Sequence, residues 1–231
     1  YSTIGCDLAN HETYNKQNTK KMKQFRSIAL QLMALVFVGG MLASCLNDDD
    51  NNNSFSYLSK SEQLQAYGVI AGNHAGRVYW VSANGMSQAR LDSADVTLNV
   101  VNDSTAYIYN FPTKPLADTI KTEYSDLKAA MLQQPNTTLT IYTRYFRLTP
   151  IYFQADPYNI TYNVTYGGAN HKVEVAFYTQ MPNYLFGTYD SSSKQLQIVM
   201  NEGAVWVDRE NNGTNPTNHL ITSRNFLYKS I

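Results

Sequence analysis

Residues 158–177 read YNITYNVTYGGANHKVEVAF, and this stretch decides the fold class. From Tyr158 to Tyr166 every second residue is apolar or aromatic, and Asn or Thr fills the positions between them. A period of two is typical of a β-strand with one buried face. Gly167-Gly168 can supply the positive φ angles of a tight reversal, and the apolar alternation resumes from Val173 to Phe177. The stretch therefore predicts a β-hairpin.

The same alternation continues on both sides of this hairpin. Asn102-Asp103 and Ser191-Ser192-Ser193 are turn residues between neighbouring segments. The predicted strands are Arg77–Ser82, Asp95–Val101, Ser104–Phe111, Leu139–Thr149, Tyr184–Tyr189, Gln195–Met200, Ala204–Asp208 and Phe226–Ser230.

Two segments have the spacing of helices. Ser59 and Glu62 stand at capping-box spacing and predict a short helix over Ser59–Gln65. A second helix is predicted from about Leu116 to Gln133, between two prolines, because apolar residues recur there near helical spacing. We expect this inserted helix to cover one end of the sheet system.

About ten strands joined by short turns predict an all-β, antiparallel domain, since parallel neighbours need repeated crossover connections. A β-sandwich and a flattened, lipocalin-like barrel with one inserted α-helix both fit the pattern.

Residues 22–45 read MKQFRSIALQLMALVFVGGMLASC and resemble a lipoprotein leader. A short basic start precedes an apolar run from Ile28 to Val38, and small residues precede Cys45. The pattern predicts a signal peptide at 22–44, cleavage before Cys45 and lipid attachment to that cysteine. An uncleaved membrane anchor is the alternative, although the apolar run is short for a bilayer span.

The leader sets the expected domain boundaries. Residues 1–21 fit an over-extended gene start, with a real N-terminal extension as the alternative. Residues 45–56, which include an acidic and Asn-rich run, predict a flexible tether, and residues 57–231 predict a single β-rich domain. The expected location is the cell envelope, as an outer-membrane lipoprotein. The acidic run resembles a signal for surface export in Bacteroidetes, although a plain solvated linker fits equally well.

Charge and cysteine content exclude several classes. Five basic and two acidic residues precede Cys45, so the part behind it has a net charge near −3. This part of the chain lacks the clustered Lys and Arg residues that binding to nucleic acid or anionic lipid requires. We therefore expect no nucleic-acid partner, and membrane contact only through the attached lipid. Cys6 and Cys45 are the only cysteines, which leaves no disulfide framework and no cysteine-based zinc site.

No local motif predicts catalysis, a metal or a cofactor. His74, His171 and His219 stand far apart in sequence, and no two have metal-ligand spacing, so we expect structural roles for them. There is no nucleophile elbow and no phosphate-binding glycine loop. A hydrolase whose site residues are dispersed along the chain stays open.

Tyrosine and arginine concentrate in one part of the chain. Tyr142, Arg144, Tyr145, Arg147 and Tyr152 form a candidate binding surface for a glycan or a protein, because exposed aromatics beside polar groups suit such ligands. The alternative is that most tyrosines face the core, which the alternation favours for Tyr158, Tyr162 and Tyr166.

Several blocks together resemble a family of lipoproteins from gut Bacteroidetes, domain of unknown function 4840. The blocks are Ala75–Tyr79, Asn102–Thr105, Asn110–Phe111–Pro112 with Leu116–Ala117, and Thr165–Val173. The resemblance implies an envelope location and a β architecture, and it carries no activity and no site residue.

Three functions follow as hypotheses. The first is a non-enzymatic surface lipoprotein that binds a ligand or partner. The second is an assembly subunit of a fimbrial or envelope complex, which would offer a strand edge to its partner. The third is the hydrolase with a dispersed site.

Overall fold

The computed structural model describes residues 56–84, 88–178, 186–209, 217–218 and 224–231. The predicted leader, Cys45, most of the tether and His219 lie outside these residues. None of the helices in the described ranges is long and apolar enough to cross a membrane.

The described residues form eleven strands, three α-helices and one 3₁₀ turn. In chain order these are α1 (Lys60–Ile70), β1 (Gly72–Asn84), β2 (Gln88–Asn102), β3 (Thr105–Phe111), α2 (Lys114–Asp118), the 3₁₀ turn (Thr122–Tyr124), α3 (Ser125–Leu132), β4 (Thr137–Leu148), β5 (Ile151–Pro157), β6 (Ile160–Tyr166), β7 (Ala169–Phe177), β8 (Phe186–Asp190), β9 (Gln195–Val207), β10 (Thr217–Asn218) and β11 (Arg224–Ser230).

Eight of these strands close into a barrel. Their order is β1, β2, β3, β4, β5, β8, β9 and β11, and β11 pairs with both β9 and β1 to complete the circle. Every neighbouring pair is antiparallel. The predicted all-β antiparallel class is confirmed, and the architecture is the barrel rather than the sandwich.

Strand β9 continues past the barrel and carries a second piece of sheet. Residues Gln195–Glu202 pair with β8 and β11, whereas Glu202–Val207 pair with β7. The register of the β7–β9 pair shifts between Ala176 and Phe177 of β7. This shift lies beside the point where β9 leaves the barrel pairs and begins to pair with β7. The predicted strands Gln195–Met200 and Ala204–Asp208 are therefore one strand, because the bulge interrupts the alternation without ending the hydrogen bonding.

The hairpin of residues 158–177 is confirmed as β6 and β7. Gly167 and Gly168 take φ angles of 57° and 82° at the reversal. The inward orientation predicted for Tyr158 is wrong, since its side chain is 57% exposed. Tyr158 precedes the start of β6 and its backbone N–H donates to Thr140 O of β4, so it does not follow the pleat of β6.

Helix α1 lies over one end of the barrel. The predicted capping box is present, with Ser59 and Glu62 as its partners, and the helix runs five residues beyond the predicted end to Ile70. Its Ala66 and Ile70 are buried, and its Lys60 pairs with Asp103 in the turn between β2 and β3.

The predicted helix Leu116–Gln133 is not continuous. It divides into α2, the 3₁₀ turn and α3, with Lys121 in an extended conformation between the first two. The Lys128 ammonium group donates to the carbonyls of Asp118 and Ile120, so a side chain from α3 satisfies carbonyls that the break leaves open. Helix α3 packs on β6.

Strand β5 is a strand that the sequence pattern did not predict. Its burial alternates cleanly from Ile151 to Pro157. Asp156 and Pro157 are poor strand formers, and their presence obscures the apolar face of Ile151, Phe153 and Ala155.

Large side chains fill the barrel interior. Tyr145, Phe153, Phe226 and Tyr228 are each at most 1% exposed. Phe153 lies directly against Gly187 of β8, its register partner: a Cβ added to Gly187 would come within 1.9 Å of the ring. The ring of Phe153 therefore occupies the space that any other residue at position 187 would need.

We expect Gly187→Ala to lower the free energy of unfolding by about 2 kcal/mol or more, because the methyl group forces Phe153 from its packed position. Chemical denaturation of the variant measures this. Gly68→Ala on α1 is the matched control, since nothing lies within 4 Å of its added Cβ and a helical Ala should add about 0.5–1 kcal/mol. Equal stability of the two variants would contradict the packing described for Phe153.

Candidate functional site

The outer face of β4 and β5 carries a group of polar and aromatic side chains. Alternation along β4 buries Ile141, Thr143 and Tyr145 and turns Tyr142 and Arg144 outward. The register places Tyr142 opposite Asp156 and Arg144 opposite Gln154. Tyr57, which precedes α1, completes the group. We refer to Tyr57, Tyr142, Arg144, Gln154 and Asp156 as the Arg144 cluster.

Aromatic rings and hydrogen bonds hold the Arg144 guanidinium. Its Cζ lies 4.4 Å from the centroid of the Tyr57 ring and 5.6 Å from that of Tyr142, both within cation–π range. One Nη donates to Gln154 Oε1 at 3.0 Å, and the Tyr57 hydroxyl donates to the same oxygen. The side chain is 38% exposed, so it is held in place and still reachable from solvent.

The carboxylate of Asp156 balances the charge of Arg144. Its Oδ2 lies 3.8 Å from Arg144 Nη2, and the amide of Gln154 donates to both carboxylate oxygens at 2.8–2.9 Å. Partial burial raises the pKa of Asp156, while the Gln154 amide and the Arg144 charge act in the opposite direction. A surface with one cation and one anion so close together has little net field to attract a charged ligand.

A second aromatic group lies beside the Arg144 cluster. The register shift between Tyr145 and Arg147 places Phe146 against Tyr152, with ring centroids 6.5 Å apart and nearly parallel. Arg147 Cζ lies 5.7 Å from the centroid of the Tyr152 ring. The structure thus brings together Tyr142 with Arg144, and Arg147 with Tyr152, on one connected strand pair.

The prediction that Tyr145 belongs to this surface is wrong. Tyr145 is fully buried and packs on Phe153, at 5.4 Å between ring centroids. It follows the inward positions of β4, which the dense run of tyrosines and arginines concealed in the sequence. Burial raises the pKa of its hydroxyl to about 12.

A buried acid, Glu202, lies at the other end of the barrel. It stands in β9 where the register shifts, opposite Arg224 of β11, and its side chain has no exposed area. Its Oε1 lies 3.1 Å from the Thr119 hydroxyl just after α2, and its Oε2 has no hydrogen-bond partner. Arg224 binds the same segment by donating to Pro115 O at 2.5 Å.

Burial favours the protonated form of Glu202. It raises the pKa of Glu202 well above its usual range, against the smaller opposing effects of Thr119 and Arg224. The Thr119 hydroxyl lies 3.1 Å from Glu202 Oε1 and 2.7 Å from Leu116 O, and it can donate its one proton to either oxygen.

The histidines inside the described ranges have local partners. His74 Nε2 lies 2.8 Å from Ile70 O at the end of α1, which is a structural contact. His171 Nδ1 lies 2.7 Å from Asp208 Oδ2, and its ring stacks on Tyr166 with centroids 4.2 Å apart. The described parts of the chain contain no group of three or more His, Cys, Asp or Glu residues able to hold a metal ion.

Sequence reasoning missed several of these residues for identifiable reasons. Gln154 and Asp156 lie on the unpredicted strand β5, and Tyr57 joins the cluster only through the packing of the segment before α1. Glu202 gave one signal, as the single charged residue of the mostly apolar segment 196–207. A single acidic residue within a buried strand indicates a special site, because a buried carboxyl group needs a charged partner or a proton.

A comparison with protein families identifies the family of this chain. The model of a family described as "Domain of unknown function (DUF4840)" matches residues 69–207, from the end of α1 through β9. No curated protein matches the chain, and no solved structure does. The matched range includes β4, β5 and Glu202.

Glu202→Gln should change how stability depends on pH. A carboxyl group with a folded pKa above its unfolded value of about 4.5 contributes stability below pH 4.5 and loses it as pH rises toward the folded pKa. The wild-type unfolding free energy should therefore fall, relative to that of Glu202→Gln, by up to about 1.4 kcal/mol per pH unit above pH 4.5. Urea denaturation between pH 4 and pH 8 measures this difference.

Glu123→Gln is the matched control, because Glu123 is exposed in the 3₁₀ turn. It should follow the wild-type curve at every pH. A Glu202→Gln curve parallel to wild type would show that folding does not raise the pKa of Glu202.

Proposed function

The chain belongs to the DUF4840 family, and we propose that it is a non-enzymatic lipoprotein of a Bacteroidetes cell envelope whose barrel binds an uncharged glycan through the Arg144 cluster. Lipid on Cys45 holds it at the outer membrane, and residues 45–56 connect the anchor to the barrel. The observation that carries the ligand assignment is the charge-balanced, hydrogen-bonded Arg144 set between two tyrosine rings.

Support for the anchor comes from residues 22–45. Basic residues, a short apolar run, small residues and a cysteine follow one another in the order of a lipoprotein leader. Two or three acyl chains are sufficient for stable attachment, at about 0.8 kcal/mol per buried methylene. The barrel then needs no membrane-binding surface of its own.

Support for a ligand on the outer face comes from the packing of the interior. Tyr145, Phe153, Phe226 and Tyr228 fill the barrel, so the polar and aromatic groups that a ligand can reach lie outside. Tyr57 is 36% exposed and Tyr142 is half-buried, so each keeps part of its ring accessible. Rings of this kind pack on the apolar faces of sugars, while fixed polar groups accept and donate hydrogen bonds at their edges.

The charge of the cluster favours an uncharged ligand. Asp156 lies 3.8 Å from Arg144, so a phosphate or carboxylate would meet an anion next to the cation. The glycan hydroxyls would instead find donors on Arg144 and acceptors on Asp156 and Gln154. Because these side chains already hold one another by hydrogen bonds, binding requires little further ordering.

An assembly subunit is the second candidate, favoured by a different observation. Strand β6 ends the sheet and pairs with β7 alone among the described strands. A dispersed hydrolase site has no such support. A contact of His74 with an Asp and a Ser would have favoured it, but His74 contacts the carbonyl of Ile70 at the end of α1.

The anchor is tested by labelling cells with a palmitate analogue. Wild-type chain should carry the label and fractionate with membranes, whereas Cys45→Ala should be unlabelled and uncleaved, because the thiol is the acceptor of the lipid. Cys6→Ala is the control and should behave as wild type. An unmodified Cys45 in the native product, read by mass spectrometry, would overturn the lipoprotein assignment.

The ligand site is tested on a glycan array and by calorimetry with the glycans that bind. Tyr142→Ala and Arg144→Ala should each weaken binding at least about tenfold, which corresponds to about 1.4 kcal/mol. Tyr79→Ala and Arg77→Ala are matched controls on β1: both residues are half-buried, and Arg77 is 42% exposed and paired with Asp95. These two should bind like wild type.

Three results would contradict the glycan proposal. They are no binding to any glycan, equal losses in the β1 variants, and preferential binding of acidic glycans that salt abolishes. Specific retention of a protein by the wild type, lost in Arg144→Ala, would assign the same surface to a protein partner instead.

A further inference from the structure

Among the described residues, strand β6 has no pairing partner on its outer edge. It is the last strand of the described sheet and pairs with β7 over all seven residues, without a register shift. Exposed edge strands normally carry Lys, Pro or a bulge that prevents pairing with another chain. Residues 158–170 contain no charged residue and no proline, and β6 has no bulge.

The sequence of β6 is complementary to itself. When two copies of Ile160–Tyr166 are laid antiparallel about Asn163, Asn163 faces Asn163 and Thr161 faces Thr165 of the other copy. Tyr162 then faces Val164. Thr–Thr and aromatic–β-branched pairs are favourable across antiparallel strands, and no like charges meet.

Burial within one copy is compatible with this arrangement. Thr161, Asn163 and Thr165 are exposed, whereas Ile160, Tyr162 and Val164 are at most 6% exposed beneath their own chain. The Tyr162 hydroxyl lies 2.9 Å from Thr113 Oγ1, which fixes the inner face of β6. The inner face of β6 is therefore already packed within one copy, and the exposed side chains of Thr161, Asn163 and Thr165 lie on its outer face.

We propose that two copies of this chain pair through β6, antiparallel and centred on Asn163, so that the sheets of both copies join across a twofold axis. Twofold symmetry requires that one surface bind itself, and the pattern about Asn163 meets that requirement. The contact is one strand from each copy, so the expected dimer is weak and depends on concentration.

Engineered disulfides test both the contact and its register, in the full chain with Cys6→Ser and Cys45→Ser. Opposed residues of antiparallel strands have Cα atoms about 4.5–5.5 Å apart, within the range for a disulfide. Asn163→Cys should therefore form a covalent dimer under mild oxidation. Thr161→Cys should not, because two copies of position 161 lie about 14 Å apart in this register.

Mixing the Thr161→Cys and Thr165→Cys chains restores the opposed pair and should give a mixed disulfide dimer. Non-reducing electrophoresis measures the covalent dimer in all three samples: Asn163→Cys, Thr161→Cys and the mixture. Cross-linking that is equal at positions 161 and 163 would overturn the proposed register, and no cross-link at any position would overturn the contact.

Sedimentation of the same chain without introduced cysteines provides a second measurement. The mass should rise with concentration toward that of a dimer, and Asn163→Lys should keep it monomeric, because two lysines would meet on the axis. Asn73→Lys, at an exposed asparagine of β1, is the matched control and should still dimerise. A wild-type chain that is monomeric throughout, or an Asn163→Lys chain that still dimerises, would refute the proposal.

Discussion

The fold depends on the backbone hydrogen bonding of β9. This strand pairs with β8 and β11 along its first part and with β7 and β10 along its second. The first set of bonds closes the barrel, and the second attaches the β6–β7 hairpin, which in turn packs against α3. A barrel alone would leave α3 without the strand on which it packs, and the hairpin alone would be marginal in water.

The two chemically distinct places in the molecule follow from strand register. On β4 and β5 the pleat turns Tyr142, Arg144, Gln154 and Asp156 to the outside, and pairing brings a cation and an anion within 3.8 Å. On β9 the carboxyl group of Glu202, at the register shift, is fully buried, and Thr119 reaches only one of its oxygens. The same backbone geometry therefore makes one site reachable and the other sealed.

Patterns with a strict local cause could be predicted from the sequence. The β6–β7 hairpin with its glycine pair, the capping box at Ser59 and the antiparallel class all follow from residues close together in the chain. Features that depend on pairing between distant segments could not be predicted. Strand β5 has a poor strand composition, and the barrel closes through β1 and β11, which lie far apart in the sequence. Of the predicted surface, Tyr142, Arg144, Arg147 and Tyr152 face outward, whereas Tyr145 points inward because its position in the pleat outweighs its polar neighbours.

Closure by β11 also sets the order in which the chain can fold. Tyr228 donates from its hydroxyl to His74 O, a contact between residues 154 positions apart, and β1 has no partner on that side until the last seven-residue strand exists. Such distant pairing is slow to form, because loop-closure entropy is lost before any contact compensates for it. Until β11 has paired, the barrel therefore has two unpaired strand edges, on β1 and β9.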